Sequence, residues 1–492
     1  MNINKKLLIV LLLLAFLVGG TVTATAMSLA SGSDEPEVED STDPSDSEEP
    51  PQEESGKELS PSDDYAFFNQ VMEMIQENYR DEVDEELLYE GAIEGIVNSL
   101  DDPFSEYMDS EATEEFNSQI ESSFEGIGAE VTQRDDQITI IAPIGESPAE
   151  EAGLRPNDRI LEVDGESMEG YTVTEAVSLI RGEKGTDVVL TIDRVGEDEP
   201  FEVVITRDTI PLTTVYADVQ EYQDQRVGIL EIRSFGEGTA EEFAEELERL
   251  ESEENIDGLV LDVRGNPGGL FTSVEQVLSH FMDGDDPYVQ TSRHDIEPEP
   301  YYLNGRGEKD YPISVLINEG SASASEILAA AMKEVGGYEI VGQTTFGKGT
   351  VQQTMPLGDG MLKLTVLNWL TPEGNEIEEV GVEPTIEVEQ PDYYYLTLIQ
   401  TEEPLQLDMN NSEVEKLQIM LEGLGYDINR TDGYFDEDTQ QVVEEFQQAE
   451  GLDATGVVDE ATEERLEELI LEAVTDPAND VQLQTAVESL FQ

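Results

Sequence analysis

Apolar positions along the chain change period several times, and each change marks a different kind of element. The first run, 7–18, is unbroken, follows Lys5 and Lys6, and no charged residue appears until Asp34. Such a stretch reads as an export signal, with Ala24-Thr25-Ala26 as a cleavage site, or as a single retained anchor. Residues 1–33 are therefore assigned to a signal or transmembrane anchor that puts the rest of the chain outside the cytoplasm. Residues 34–62 are rich in Asp, Glu, Ser and Pro without apolar periodicity, and form an acidic disordered linker. Over 63–108 the period is helical: Phe68, Val71, Met72, Ile75 and Tyr79 share one face, and Leu88, Ala92, Ile93, Ile96 and Leu100 another. These helices make an N-terminal arm, 63–112. Its apolar faces need a partner, either the main body or a second copy of the chain.

From 113 to 208 the pattern predicts a small β-domain, with strands at 138–141, 159–163, 188–192 and 201–205 around a short helix at 174–180. From 209 to 395 strands and helices alternate. Strands fall at 227–232, 258–263, 312–318, 338–341 and 361–369, and helices at 240–250, 274–282 and 324–335, which is a layered α/β pattern. Residues 405–472 carry three helical stripes, marked by Val414, Leu417, Leu421 and Leu424, then Val442, Val443 and Phe446, then Leu466, Leu469 and Ile470. The tail 473–492 shows no informative pattern.

Charge and composition then remove whole classes of function. Against 24 basic residues stand 114 acidic ones, for a net charge of −90 in 492 residues. A nucleic-acid partner is excluded, because phosphate backbones are bound by basic clusters and none is present. Acidity that runs through every folded segment reads as halophilic adaptation, with an alkaline habitat fitting nearly as well. With no cysteine there is no thiol nucleophile, disulfide or thiolate metal site. The two histidines, His280 and His294, form no H-E-x-x-H pair, which excludes a zinc protease of that type, and no metal or cofactor is expected.

Two binding modules follow from motifs. Ser147-Pro148-Ala149, Gly153-Leu154, Asp158-Arg159-Ile160 and Val163-Asp164-Gly165 resemble the signature of PDZ domains. The resemblance puts a carboxylate-binding loop at Gly126, Ile127, Gly128 and Ala129, where backbone N–H groups meet a peptide's C-terminus and the peptide adds as a strand. In the last unit, Leu424-Gly425-Tyr426, Asp432-Gly433-Tyr434-Phe435, Phe446-Gln447-Gln448 and Thr455-Gly456-Val457-Val458-Asp459 resemble a three-helix peptidoglycan-binding domain.

The chemistry is carried by Gly320-Ser321-Ala322-Ser323-Ala324-Ser325-Glu326 and Thr345-Phe346-Gly347-Lys348-Gly349-Thr350-Val351-Gln352. A serine becomes nucleophilic when a base takes its proton, and a lysine held neutral by burial can be that base. A serine at a strand-to-helix turn also has unpaired N–H groups beside it to hold an oxyanion. Spacing alone does not choose among Ser321, Ser323 and Ser325. The segment 342–348 nearly spells a phosphate-binding loop, but Gly349 stands where Ser or Thr is needed, and the serines lack the G-x-S-x-G frame.

The pair of motifs resembles the carboxyl-terminal processing peptidases, or tail-specific proteases, and the match covers most of 63–389. That resemblance implies a multidomain α/β enzyme: helical arm, PDZ-like β-domain, layered Ser–Lys protease core and C-terminal three-helix peptidoglycan-binding-like domain. It assigns Ser323 as nucleophile, Lys348, 25 positions later, as general base, and Gln352 as the residue that orients the lysine. It draws the oxyanion hole from the N–H groups of Ala324 and Gly268, with Gly269 the neighbouring alternative. On a straight strand positions 348 and 352 stand roughly 13 Å apart, so the chain around Gly347 and Gly349 must bend. Arg181, at the end of the PDZ-like helix, is the candidate for coupling bound peptide to the protease. The implied partners are proteins with exposed C-terminal tails, peptidoglycan, the membrane through the N-terminal anchor, and a second copy in a homodimer. The competing reading is a non-catalytic scaffold that links peptide tails to the wall.

Overall fold

The computed structural model of the protein describes residues 61–492 apart from 135, 136, 146, 195, 198, 199, 294, 295, 306, 308 and 402. The expected signal or anchor, nearly all of the acidic linker and His294 lie outside the described residues. Among the described residues no helix is long and apolar enough to cross a membrane. The chain divides into two units, Met1–Val83 and Asp84–Gln492. In the first, Pro61–Asn78 is a helix.

The second unit opens with the helix Glu85–Asn98, started by Asp84, whose side chain accepts the Glu86 N–H. It leaves Leu87 and Ile96 about two-thirds exposed, at 66% and 67%. The Asp102-Pro103 pair was expected to end the second helix, since the residue before a proline is biased away from helix, and the helix stops at Asn98. Within the stretch read as helical, Glu106–Met108 is instead a strand paired with 361–363. A helix, Ser110–Ile120, then leads to a two-stranded neck in which Ser123–Gly126 pairs antiparallel with Asp208–Pro211.

Between the two neck strands lies the small β-domain. Its five main strands stand in the order Ala129–Arg134, Gln137–Pro143, Arg159–Val163, Asp187–Asp193 and Phe201–Thr206. Their inward residues, among them Ile138, Ile140, Ile160, Leu190 and Ile192, are almost fully buried. The helix Val173–Ile180 begins with a capping box made by Thr172 and Glu175.

The core is a six-stranded sheet in the order Val215–Tyr222, Gln225–Ile232, Gly258–Asp262, Ile313–Ile317, Glu339–Gly342 and Ile386–Glu387. The first pair is antiparallel and the rest are parallel. Its central strands are buried on both faces, which is why they read as continuous apolar runs. One face packs Leu259, Leu261, Val315 and Ile317 against the helices Thr239–Arg249, Phe271–Leu278 and Ala324–Glu334. The other face packs Val227, Val260, Leu316 and Val341 against Leu483, Ala486 and Val487 of the chain's last helix and Leu490 just beyond it. That helix, Val481–Ser489, falls in the tail that shows no pattern in the sequence, yet it completes the protease core.

A second sheet pairs Gly360–Leu370 with Thr350–Leu357, Pro287–Arg293 and Glu106–Met108, and Ile296–Tyr302 extends it. The helices Ser412–Gly423, Glu437–Ala449 and Glu460–Thr475 form the C-terminal unit around Leu417, Leu421, Phe435, Val443, Phe446 and Leu466. It is built on an internal repeat. Buried Gln418 accepts the Gly433 N–H and donates to Thr439, and buried Gln447 accepts the Gly456 N–H and donates to Thr462. Each glutamine thus satisfies the loop that enters the next helix.

Candidate active site

Ser323 sits where the strand Ile313–Ile317 turns into the helix Ala324–Glu334. Its backbone, at φ 54° and ψ −110°, lies in a region L-residues disfavour, a cost of about 1–3 kcal/mol that the surrounding contacts must hold in place. The two neighbouring serines differ. Ser321 and Ser325 are fully buried, and their hydroxyls donate to the carbonyls of Val263, at 2.7 Å, and Asn266, at 3.0 Å. Ser323 alone of the three is partly exposed. At the start of the helix, the Ala324 N–H has no acceptor among the described residues.

The loop 264–269 closes against this turn. A Cβ on Gly268 would stand 2.8 Å from Ser323 Cβ and 2.9 Å from Ala324 N, so only glycine fits. The Gly268 N–H donates to Asn266 Oδ1 at 2.8 Å, whereas the Gly269 N–H has no acceptor among the described residues. Asn266 is fully buried. Its amide donates to the Ile232 carbonyl, and its own carbonyl accepts from the Ala322 N–H, so it ties the loop to the serine turn.

Lys348 comes from the other sheet, just before the strand Thr350–Leu357. The bend expected here is present. Gly347 has φ 87°, and the ladder slips between Val351 and Gln352, a bulge that re-aims the second residue. The Gln352 amide donates to the Thr350 and Thr365 hydroxyls at 2.8 and 3.3 Å, which leaves its carbonyl oxygen to accept a hydrogen bond from an amine. Burial, helped by the Lys363 charge, pushes the Lys348 amine below the usual lysine range against the pull of Glu378, Glu106 and Glu326. Among the described residues that amine has no hydrogen-bond or ion-pair partner, and its Nζ lies 4.8 Å from the centre of the Phe104 ring.

One residue joins the two halves. Glu326 is fully buried and accepts four hydrogen bonds: Ser323 N–H at 2.7 Å, Lys348 N–H at 2.8 Å, Gly347 N–H at 2.7 Å and the Thr345 hydroxyl at 2.6 Å. Burial pushes its carboxyl up, opposed by those bonds. The sequence carried a sign of it, since Ser323 and Glu326 have the spacing of a capping box. His280 packs edge-on against Phe243, just after the helix Phe271–Leu278.

In the β-domain, the Ile127 and Gly128 N–H groups, between the neck and the edge strand Ala129–Arg134, have no acceptor among the described residues. A Cβ on Gly128 would stand 2.4 Å from that of Ser147, whose hydroxyl donates to the Gly128 carbonyl. Gly126 lies against the Phe124 ring, and the Arg181 guanidinium covers that ring at 4.9 Å.

Comparison with known proteins identifies four family models along the chain. The peptidase family S41 model matches 226–388, a PDZ domain model 140–194, a peptidoglycan binding domain model 410–466, and the N-terminal domain model of the activating protease CtpB 16–112. The carboxy-terminal processing protease CtpB of Bacillus subtilis is 48% identical over 86% of this chain and 88% of its own. CtpA of the same organism is 39% identical over 86% and 89%. A probable CtpA-like serine protease of Staphylococcus haemolyticus is 36% identical over 78% and 77%. The family model falls on the segment that holds both Ser323 and Lys348, and the likeness to whole proteases covers 86% of the chain. The chain therefore belongs to peptidase family S41, the carboxy-terminal processing proteases, and is a serine-type endopeptidase with a PDZ domain and a peptidoglycan-binding domain.

Proposed function

We propose that the protein cuts extracytoplasmic proteins at or near their C-terminal tails with a Ser323–Lys348 dyad. The observation that carries this reading is the buried Glu326 carboxylate. It fixes the backbone of the strained serine and the backbone of the half-buried lysine from one side chain. Ser323 attacks the peptide carbonyl, and Lys348 takes the hydroxyl proton and returns it to the leaving amine. The Gln352 carbonyl orients the amine between these steps. The Ala324 N–H, at the start of a helix, stabilises the oxyanion together with a glycine N–H of the loop, from Gly268 or Gly269. Water then releases the acyl-enzyme, with neither metal nor cofactor in any step.

The tail is captured by the PDZ domain. Its carboxylate meets the free N–H groups at Ile127 and Gly128, beside Gly126, and its backbone adds to the edge strand that starts at Ala129. Arg181, folded over Phe124 next to this loop, couples peptide binding to the protease. The C-terminal unit holds the enzyme to peptidoglycan, the N-terminal segment anchors it in the membrane, and the apolar residues exposed on the N-terminal helix serve a homodimer. The test compares wild type with Ser323→Ala in about molar salt, on an unfolded protein with an apolar C-terminus. Loss of cleavage with an unchanged thermal midpoint is the expected result. Equal cleavage by both would move the nucleophile elsewhere.

A further inference from the structure

Phe104 reaches the catalytic lysine from outside the two motifs. It belongs to the segment 102–108, which leaves the N-terminal helix and lies along the sheet that carries Lys348. Glu106, Tyr107 and Met108 pair with Lys363, Leu362 and Met361. The Thr365 N–H donates to the hydroxyl of buried Ser105 at 3.0 Å, and that hydroxyl donates to the Asp102 carboxylate. The same carboxylate accepts the N–H of Phe104 itself at 3.0 Å. Phe104 is thus pinned on both sides, with its ring centre 4.8 Å from Lys348 Nζ.

The charged groups that face the lysine are committed elsewhere. Lys363 is ion-paired with Glu106. Glu378 accepts the Gly349 N–H at 2.6 Å, and Glu326 is the four-bond clamp described above. None of them is bonded to the amine, and an aromatic ring lies beside it.

We propose that Phe104 is the apolar wall of the general base: it keeps water off the Lys348 amine, so that this amine is free to accept the serine proton. The proposal rests on the dyad reading above and makes Phe104 a positioning residue. It also makes the segment between the N-terminal helix and the PDZ domain part of the active site. Two effects of the ring oppose one another. Its face attracts an ammonium and favours the charged form, while its bulk excludes water and favours the neutral one. In a half-buried site where desolvation is the leading influence on the lysine, exclusion of water prevails.

Substitution separates the two effects. Phe104→Ala admits water, and Phe104→Leu keeps the bulk but removes the ring face. The full chain is assayed for kcat/KM against pH on an unfolded protein substrate. In a Ser323→Ala background, the reactivity of Lys348 toward an amine-acylating reagent is followed against pH by mass spectrometry. Phe104→Ala should move both the acid limb and the labelling midpoint to higher pH. Below the limb it should lose activity by about tenfold per pH unit of displacement, and regain it in alkali. Phe104→Leu should leave the midpoint in place or lower it. If Phe104→Ala fails to fold, the polar substitution Phe104→Gln must raise the midpoint in its stead. A uniform loss at every pH with an unmoved labelling midpoint overturns the proposal and leaves the dyad standing. Full activity in Lys348→Ala overturns the dyad, and the proposal with it.

Discussion

At the scale of single residues, Glu326 organises the site without touching the reacting atoms. All four of its bonds are accepted, so the side chain must present oxygen on both arms. Glu326→Gln keeps the volume but turns an NH2 group toward backbone donors. Each buried donor left unpaired costs about 1–3 kcal/mol. The larger effect is geometric, because Ser323 and Lys348 lose their common support. A misplacement of an ångström costs on the order of a hundredfold in rate. Glu326→Gln should therefore lower kcat by that order, change KM little, and lower the thermal midpoint by several degrees. An unchanged kcat would show that the clamp is dispensable. The motif S-A-S-A-S-E makes this residue visible in the sequence only as a helix-capping partner. Spacing cannot reveal that its carboxylate also reaches Gly347 and Lys348, since that depends on how two sheets meet. For the same reason spacing cannot separate the three serines. What separates them is that Ser321 and Ser325 have carbonyl acceptors within the fold.

At the scale of elements, the last helix shows what periodicity can and cannot reveal. Val481–Ser489 is short, and its polar Gln482 is buried, so no clear stripe stands out. Its need is legible elsewhere. The strands Gly258–Asp262 and Ile313–Ile317 are apolar at every position but one each, Asp262 and Ser314, which predicts cover on both faces. The predicted helices of the core supply one cover, and only the structure identifies the other. The strands at 227–232, 258–262 and 313–317 in the core and at 159–163 and 187–193 in the PDZ domain were readable because local pattern and burial agree, whereas Val215–Tyr222 and Ala129–Arg134 were missed. The strands Pro287–Arg293 and Thr350–Leu357 were not readable, because bulges in their ladders break the alternation. The last helix also bears on the site. Asp480, its N-cap, is ion-paired with Arg264 at 2.8 Å, and Arg264 opens the loop that abuts Ser323. Both side chains are mostly buried, and because Arg264 keeps Asp262 as a partner, removing Asp480 costs less than the about 3–5 kcal/mol of a buried charge left with none. Asp480→Ala should lower the thermal midpoint and, by loosening the loop, kcat as well. Burial would raise the Asp480 carboxyl, but Arg264 and the Leu483 N–H outweigh it and hold it below the usual range. The stability this gives is present above the ordinary aspartate pKa and is lost as pH falls through the depressed one. Asp480→Asn should remove that part of the acid dependence. Acid unfolding curves that superimpose for wild type and Asp480→Asn would sink the assignment.

At the scale of the whole molecule, the dominant quantity is a net charge of −90. Some of the few cations are committed inside the fold, as Arg194 is to Asp158 and Arg264 to Asp262. The remaining acidic groups therefore repel one another across a surface with little positive charge. Two effects of salt compete. Salt weakens exposed ion pairs, each worth about 0–1 kcal/mol, and it screens the general repulsion. With 114 acidic and 24 basic residues, the pairs are limited by the basic ones, and the repulsion is not. Screening acts over a Debye length that falls from about 10 Å at 0.1 M to about 3 Å at 1 M. The thermal midpoint should accordingly rise over that range of sodium chloride, and equally with potassium chloride if screening is the cause. A second variable checks the sign. Mild acidification protonates surface carboxylates and relieves the same repulsion, so it should raise the midpoint in low salt and do little in high salt. A midpoint that is flat or falling with salt would mean that repulsion does not limit this fold, and that the acidity serves solubility rather than stability.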